Sequence, residues 1–339
     1  MRIPFSLGIE SIGIYLPQNR VLAEAMVDAK VITEERFKKI QTQSIYQEDK
    51  MTASEMAFYA ASDALKNAGV PAEDLSLIIF SSTLLKDYSS WSAAADLCNR
   101  LSATRAEFLD IYQGCNGVMS SIDLAVSKMF LNPEIKYVLM VSAEKFPAAV
   151  ADRWNCDPAC FYGDGAGAFL LKRNSSFCQI QSFNSYFAPE LNDFISMGYG
   201  SFSDISDHFS HIPYSPRTTK RKLIEKLGKD KIEECFDRGS VQVFKNSLKD
   251  CGLLEDSKID YGLIPNYDLE LSELIASQVN LPLEKTSWEF GRKVGHVGCV
   301  DPILNFHFAK EANKFKSGQR VFILSHGAGV SVMGMMVSV

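Results

Sequence analysis

Asp110-Ile111-Tyr112-Gln113-Gly114-Cys115-Asn116-Gly117 reads as a strand running into a glycine and then into a helix, with a cysteine at the turn. The strand character spans Glu107 to Tyr112, and apolar residues recur at helical spacing from Cys115 to about Phe130. A cysteine at a helix N-terminus meets the positive end of the peptide macrodipole, which favours thiolate over thiol. The unpaired N–H groups there can also hold a developing oxyanion. Gly117 lets another backbone approach closely. Cys115 is therefore a candidate nucleophile, set against the common alternative of a buried packing cysteine.

Outward from this turn the chain alternates strand and helix. Leu7 to Leu16 reads as a strand ended by Pro17, Thr52 to Ala68 as a helix ended by Gly69, and Leu75 to Phe80 as a strand buried on both faces. A helix over Ala93 to Leu101 and strands over Tyr137 to Val141 and Ala166 to Leu171 complete the first half, which predicts a mostly parallel sheet flanked by helices. The second half repeats the plan without residue-level similarity. It has a helix-rich stretch from Lys220 to Leu253 interrupted near Gly239, a strand at Tyr261 to Ile264, and helices at Leu269 to Val279 and Asp301 to Lys314. A closing strand pair lies around Gly327 and Gly329. Two units, 1–172 and 173–339, are expected. The segment Asn184 to Arg217 has no counterpart in the first half, and loops of that length are often functional, so a substrate-covering lid is expected there.

With 339 residues, 46% of them hydrophobic, the chain can bury a core of roughly two domain-sized units. A net charge of −6 and the absence of a dense basic run argue against a nucleic-acid surface. No apolar run reaches the ~18 residues of a membrane span and no signal-peptide pattern opens the chain, so a cytoplasmic protein is expected. The eight cysteines are scattered as in a reduced protein. Cys156 with Cys160, and His208 with His211, could each be half of a metal site, but neither has a second half nearby, and no metal is expected.

Two further stretches bear on Cys115. Tyr162-Gly163-Asp164-Gly165-Ala166-Gly167-Ala168 lacks the Lys-Ser/Thr pair of a phosphate loop and enters a strand, so its glycines read as permitting backbone crossing near a site. Gly295-His296-Val297-Gly298-Cys299-Val300-Asp301 places a histidine between glycines, ahead of a helix.

The order of Cys115 on its turn, Gly163 to Ala168, Gly295-His296 and the terminal Gly327-Ala328-Gly329 resembles ketoacyl synthase III and its relatives, over nearly the whole chain. The resemblance implies a five-layered αβαβα thiolase fold of two similar halves, usually a homodimer, with a heterodimer beside a related synthase as the alternative. It implies an acyl group moving from acyl-CoA or acyl-carrier protein onto Cys115, with no permanently bound cofactor. It places the oxyanion between the backbone N–H groups of Cys115 and Ala328.

The departures are informative. Where that family has a histidine after the second-half proline and an asparagine some thirty residues on, this chain has Asn266 after Pro265 and His296 after Gly295. With Asp301 five residues later, the pattern is similar to secondary-metabolism acyltransferases that use cysteine or serine with histidine and aspartate. Condensation uses two neutral donors to stabilise an enolate. A histidine oriented by a carboxylate suits deprotonation of an acceptor. The expected roles are thus nucleophile for Cys115, base for His296, support for Asp301 and polar donor for Asn266. Asp301 could instead simply cap its helix, Asp268 is a rival carboxylate with the same alternative, and His326 is a rival base. For the donor grip, the resemblance brings Phe37 and Gln41 to the family's tryptophan and arginine positions, with Arg153 and Trp154 as substitutes and Trp91 near the partner's side of the acyl pocket. Acyl transfer to a small molecule ranks first, carbon–carbon condensation second, and a silent partner-binding subunit third.

Overall fold

The computed structural model describes residues 1–84, 87–88, 90–148, 150–175, 177–195 and 216–339. In chain order its first half carries β1 (Leu7–Tyr15), β2 (Asn19–Leu22), α1 (Ala23–Asp28), α2 (Glu34–Ile40), β3 (Ser44–Gln47), α3 (Ala53–Ala68), β4 (Leu75–Ser81), α4 (Ala93–Leu101), β5 (Glu107–Ile111), α5 (Gly117–Leu131), β6 (Tyr137–Glu144) and β7 (Gly165–Arg173). There follow β8 (Gln179–Phe187), α6 (Pro216–Leu227), α7 (Lys229–Asp250), β9 (Tyr261–Leu263), α8 (Leu269–Gln278), α9 (Trp288–Val294), α10 (Asp301–Glu311), β10 (Arg320–Gly327) and β11 (Ser331–Ser338).

The unbroken apolar run of β4 is explained by cover on both faces. Leu77 and Ile79 pack with Val118, Met119 and Ile122 of α5, while Ile78 and Phe80 pack with Met56, Ala57 and Ala60 of α3. The first of these clusters also takes in Ile303 and Phe306 of α10 and Val321, Ile323, Met333 and Met335 of β10 and β11. Helices α5 and α10 thus lie between two sets of strands. On the far side of the second set, α7 and α8 pack through Val243, Phe244 and Ile275 against Phe322, Leu324 and Val332. The result is the five-layered αβαβα arrangement, with α3 and α4 as the other outer layer.

The strands run in the order β5-β4-β6-β7-β1-β8-β11-β10-β9. The two sets join where β1 touches β8, at the pair Gly8↔Gln179. The sheet is mixed, which corrects the mostly parallel expectation. Pairs β4–β5, β4–β6 and β9–β10 are parallel, whereas β1–β7, β6–β7, β8–β11 and β10–β11 are antiparallel. The reason is the connection: parallel neighbours need a crossover, usually a helix. No helix is assigned among the described residues between β6 and β7. A second correction concerns the long helical stretch. Its break falls at Gly228, which takes φ +83°, while Gly239 lies inside α7, where a Cβ would come within 2.8 Å of Tyr186 and Val332 side-chain atoms.

Among the described residues no helix is long and apolar enough to cross a membrane. Residues 196–215, the middle of the expected lid, lie outside the described residues, and so do His208 and His211.

Candidate active site

The nucleophile turn forms because β5 ends at Ile111 and Gly114 takes φ +53°, a conformation that reverses the chain cheaply only for glycine. Helix α5 begins at Gly117, so Cys115 stands one residue ahead of the N-cap Asn116 and not at the first helical position. No side chain caps α5, because the Asn116 amide is drawn away to the carbonyl and Oγ of Ser331, both at 2.8 Å. A Cβ on Gly114 would lie 2.6 Å from the Cβ and 2.8 Å from the N of Ala328. That close approach brings the backbone of Ala328 against the nucleophile turn, as the expected oxyanion position requires.

His296 is placed by a backbone clasp. Its N–H donates to the Phe161 carbonyl at 2.8 Å, and its carbonyl accepts from Gly163 N–H at 3.0 Å. A Cβ on Gly163 would stand 2.5 Å from the Val294 carbonyl, so the glycine permits this crossing. The Nε2 of His296 faces the Cys115 sulfur at 3.3 Å, and its Nδ1 faces Asp301 Oδ2 at 2.6 Å. Asp301 opens α10 but makes no capping bond to it. Its Oδ1 accepts from Val297 N–H at 2.7 Å and its Oδ2 also accepts from Asn266 N–H at 3.0 Å, which fixes the carboxylate beneath the ring. Burial works against a charged imidazole at this site. Asp301, with Cys115, outweighs it, and the His296 ring is held well above its ordinary range.

The expectation for Asn266 is corrected. Its Nδ2 donates to the Gly295 carbonyl at 2.8 Å and its Oδ1 accepts from Asn305 Nδ2 at 2.8 Å, so the amide bridges the histidine turn and α10. Gly291 makes room for this, since a Cβ there would lie 2.2 Å from Asn266 Oδ1. Asn266 thus holds Asp301 through its backbone N–H and Gly295 through its amide, and it is buried behind the histidine turn. Asp268 caps α8 through Leu271 N–H at 3.0 Å. His326 donates or accepts at Ser240 Oγ, 3.1 Å away, and burial, helped by His296, pushes it down to about 4, so it is a neutral ring beside the site.

Cys115 and His296 open on a cavity of about 50 Å³ that Asp157, Tyr162, Lys220, Tyr267 and His326 also line. Lys220 Nζ sits 2.8 and 3.0 Å from the two Asp157 oxygens, and Tyr162 Oη is 3.2 Å from the same carboxylate. Burial opposes both charges, but each partner holds the other in its charged form. A larger cleft of about 310 Å³, lined by Ile232, Leu271, Leu274 and Ile275, shares Lys220, Tyr267 and His326 with this cavity. Sequence reasoning missed Asp157, Tyr162, Lys220 and Tyr267. Asp157 and Lys220 lie 63 positions apart and follow no periodicity.

The donor-grip expectations are also corrected. The buried Arg153 guanidinium holds Asp164 through two contacts of 3.1 Å and the carbonyls of Tyr162 and Phe146, so four of its five N–H groups lock the glycine-rich loop. Phe37 packs beside Ile40, Ile45, Trp154 and Phe161. The cationic residues on that side are Lys30, Arg36, Lys39 and Arg217, which line a surface cleft of about 690 Å³. Trp91 packs edge-on to Tyr88 with centroids 5.4 Å apart. Among the described residues no three His, Cys, Asp or Glu side chains gather as a metal site.

The chain is similar to known proteins over most of its length. Residues 109–186 match the family model for 3-oxoacyl-[acyl-carrier-protein] synthase III, and residues 250–339 match the model for its C-terminal part. A β-ketoacyl-[acyl-carrier-protein] synthase III of Wolbachia pipientis wMel is 28% identical over 330 residues, covering 95% of this chain and 96% of the relative. Among solved structures, ChlB3, described as an acyltransferase, superposes with a TM-score of 0.91 at 25% identity, covering 98% of each chain. The 3-oxoacyl-[acyl-carrier-protein] synthase III of Aquifex aeolicus VF5 gives a TM-score of 0.80 at 22% identity, covering 98% of this chain and 100% of the other.

Proposed function

The chain is a ketoacyl synthase III-like enzyme of the thiolase superfamily, and from that premise we propose that it moves an acyl group through a thioester on Cys115 to a small-molecule acceptor. The donor is acyl-CoA or an acyl-carrier protein. Cys115 gives its proton to His296 Nε2, and the thiolate attacks the donor thioester. The tetrahedral oxyanion lies by the N–H groups of Cys115 and Ala328, and its collapse expels the donor thiolate, which takes the proton from His296. In the second half-reaction His296 takes the acceptor proton, the acceptor attacks the acyl carbonyl, and Cys115 leaves and is reprotonated. The observation that carries this reading is the unbroken line Cys115–His296–Asp301, with contacts of 3.3 and 2.6 Å. A carboxylate-backed imidazole is a base for hydroxyl, amine or acidic carbon. The Asn266 amide nitrogen is turned to the Gly295 carbonyl, which favours acceptor activation by His296 over a His/Asn pair of neutral donors.

A secondary-metabolism role in the cytoplasm is proposed with it, and the likeness to ChlB3, described as an acyltransferase, supports the acyl-transfer part. A homodimer is proposed through the end strand β5, where Phe108 is 51% and Tyr112 70% exposed. Residues 1–172 and 173–339 are proposed as its two thiolase-like halves.

Condensation is the second reading, supported by the names of the curated relatives, which are β-ketoacyl synthases. Carbon dioxide release from a malonyl donor separates the two. The first test is intact mass after incubation with a panel of acyl-CoAs and acylated carrier proteins. One acyl adduct is expected, mapping to Cys115 and absent from Cys115→Ala. No adduct with any donor contradicts the proposal and favours a silent subunit.

A further inference from the structure

We propose that the Thr83 hydroxyl is a second hydrogen-bond donor to the Cys115 sulfur, acting opposite His296. The inference rests on Cys115 being the nucleophile and adds a residue that touches the reacting atom. Thr83 follows the end of β4 at Ser81 and is buried. Its Oγ1 lies 3.8 Å from Cys115 Sγ, within reach for a sulfur acceptor. The same oxygen accepts the Cys299 N–H at 3.3 Å. A hydroxyl has one proton and two lone pairs. With an N–H donor on one lone pair, its proton can go to the Glu144 carboxyl, which the Thr83 side chain also meets, or to the sulfur, and loss of the Cys115 proton draws it to the sulfur.

Two segments hold Thr83 in this position, the end of β6 and the histidine turn. Its N–H donates to Glu144 Oε1 at 2.5 Å, and the Cys299 thiol donates to that same oxygen at 3.0 Å. Gly298, at φ +54°, lets the histidine turn come close, for a Cβ there would lie 2.6 Å from Thr83 Oγ1 and 2.8 Å from Glu144 Oε1. The turn carrying the base and the loop carrying Thr83 are therefore built against one another, and both end on one sulfur. A thiol needs no such donor. A thiolate gains from it, because a hydrogen bond to an ionised acceptor is roughly twice as strong as a neutral one. As the Cys115 proton passes to His296, the Thr83 contact strengthens and aims the sulfur.

The test is the pH profile of iodoacetamide alkylation at Cys115, followed by peptide mass mapping, in Thr83→Val and Thr83→Ser. Thr83→Val should move the midpoint up by about one pH unit and slow alkylation at neutral pH by about tenfold. Thr83→Ser, which keeps the hydroxyl, should restore the parental profile. If Thr83→Val does not fold, Thr83→Ala replaces it with the same expectation. A Val or Ala variant with the parental profile, or a Ser variant as slow as Val, overturns the proposal. Acylation of the parent is measured in parallel. A parent that takes no acyl group sinks the proposed function, while the alkylation profile still decides the role of Thr83.

Discussion

Cys115 and Cys299 flank the same threonine and meet opposite fates. Cys115 is half-buried, faces His296 at 3.3 Å and opens on the cavity. Cys299 is fully buried, donates a hydrogen bond to Glu144, and is held well above the ordinary thiol range by burial and then by that carboxyl. Glu144 is itself raised by burial. The difference shows that a reactive cysteine here is made by a base whose positive charge is balanced. Asp301 supplies that balance on one side of Thr83. On the other side the Glu144 carboxyl, after burial, raises the thiol instead and disfavours thiolate.

The largest break in this comparison should come from His296→Ala. Without a proton acceptor Cys115 becomes as inert as Cys299, and acyl transfer should fall by about 10³-fold, within the usual span for a lost general base. Steady-state rates with a chromogenic thiol trap for the released donor would show it. Asp301→Asn should cost about 10²-fold. With the carboxylate gone, burial governs the His296 ring and pulls it down. In the parent, the raised ring contributes stability that is full below about pH 6.5 and fades as pH rises through its folded value. That pH-dependent part should vanish from thermal melts of Asp301→Asn.

How far the sequence carries is seen in these same residues. The nucleophile turn is local: a strand, a glycine and a helix start within eight positions, and the structure keeps that plan with the helix two residues later. His296 and Asp301 are five positions apart across one turn, so their pairing is also legible. Asn266 is read wrongly because its partners, Gly295 and Asn305, lie 29 and 39 positions away and claim both ends of its amide. Arg153 is misread for a similar reason, since an irregular loop folds it back on Asp164. The sheet order and its antiparallel members depend on which connections lack a helix, and strand pattern alone does not register that.

Asn266→Ala tests the corrected role. It should lower transfer by about tenfold and stability by about 1–3 kcal/mol, because the Asn305 amide and the Gly295 carbonyl lose their partners. Donor KM should be unchanged, as Asn266 is buried behind the histidine turn. A smaller effect is expected from Glu144→Gln. The folded chain keeps a proton on Glu144 above its ordinary 4.5, whereas the unfolded chain releases it. Parental stability therefore declines as pH rises above about 4.5, and the amide should remove that decline. Melting temperatures at a series of pH values would show the variant gaining on the parent toward neutrality. The smallest change is expected for Cys299→Ala, with transfer within about twofold of the parent and ~1 kcal/mol lost from one hydrogen bond.

The central claim is that one imidazole serves the acyl-cysteine, and a single-turnover measurement addresses it directly. The parent and His296→Ala are acylated on Cys115 with excess activated thioester, freed of donor, and mixed with acceptor while the adduct mass is followed. The acyl group should leave the parent and stay on His296→Ala. Release from His296→Ala at the parental rate would contradict the account.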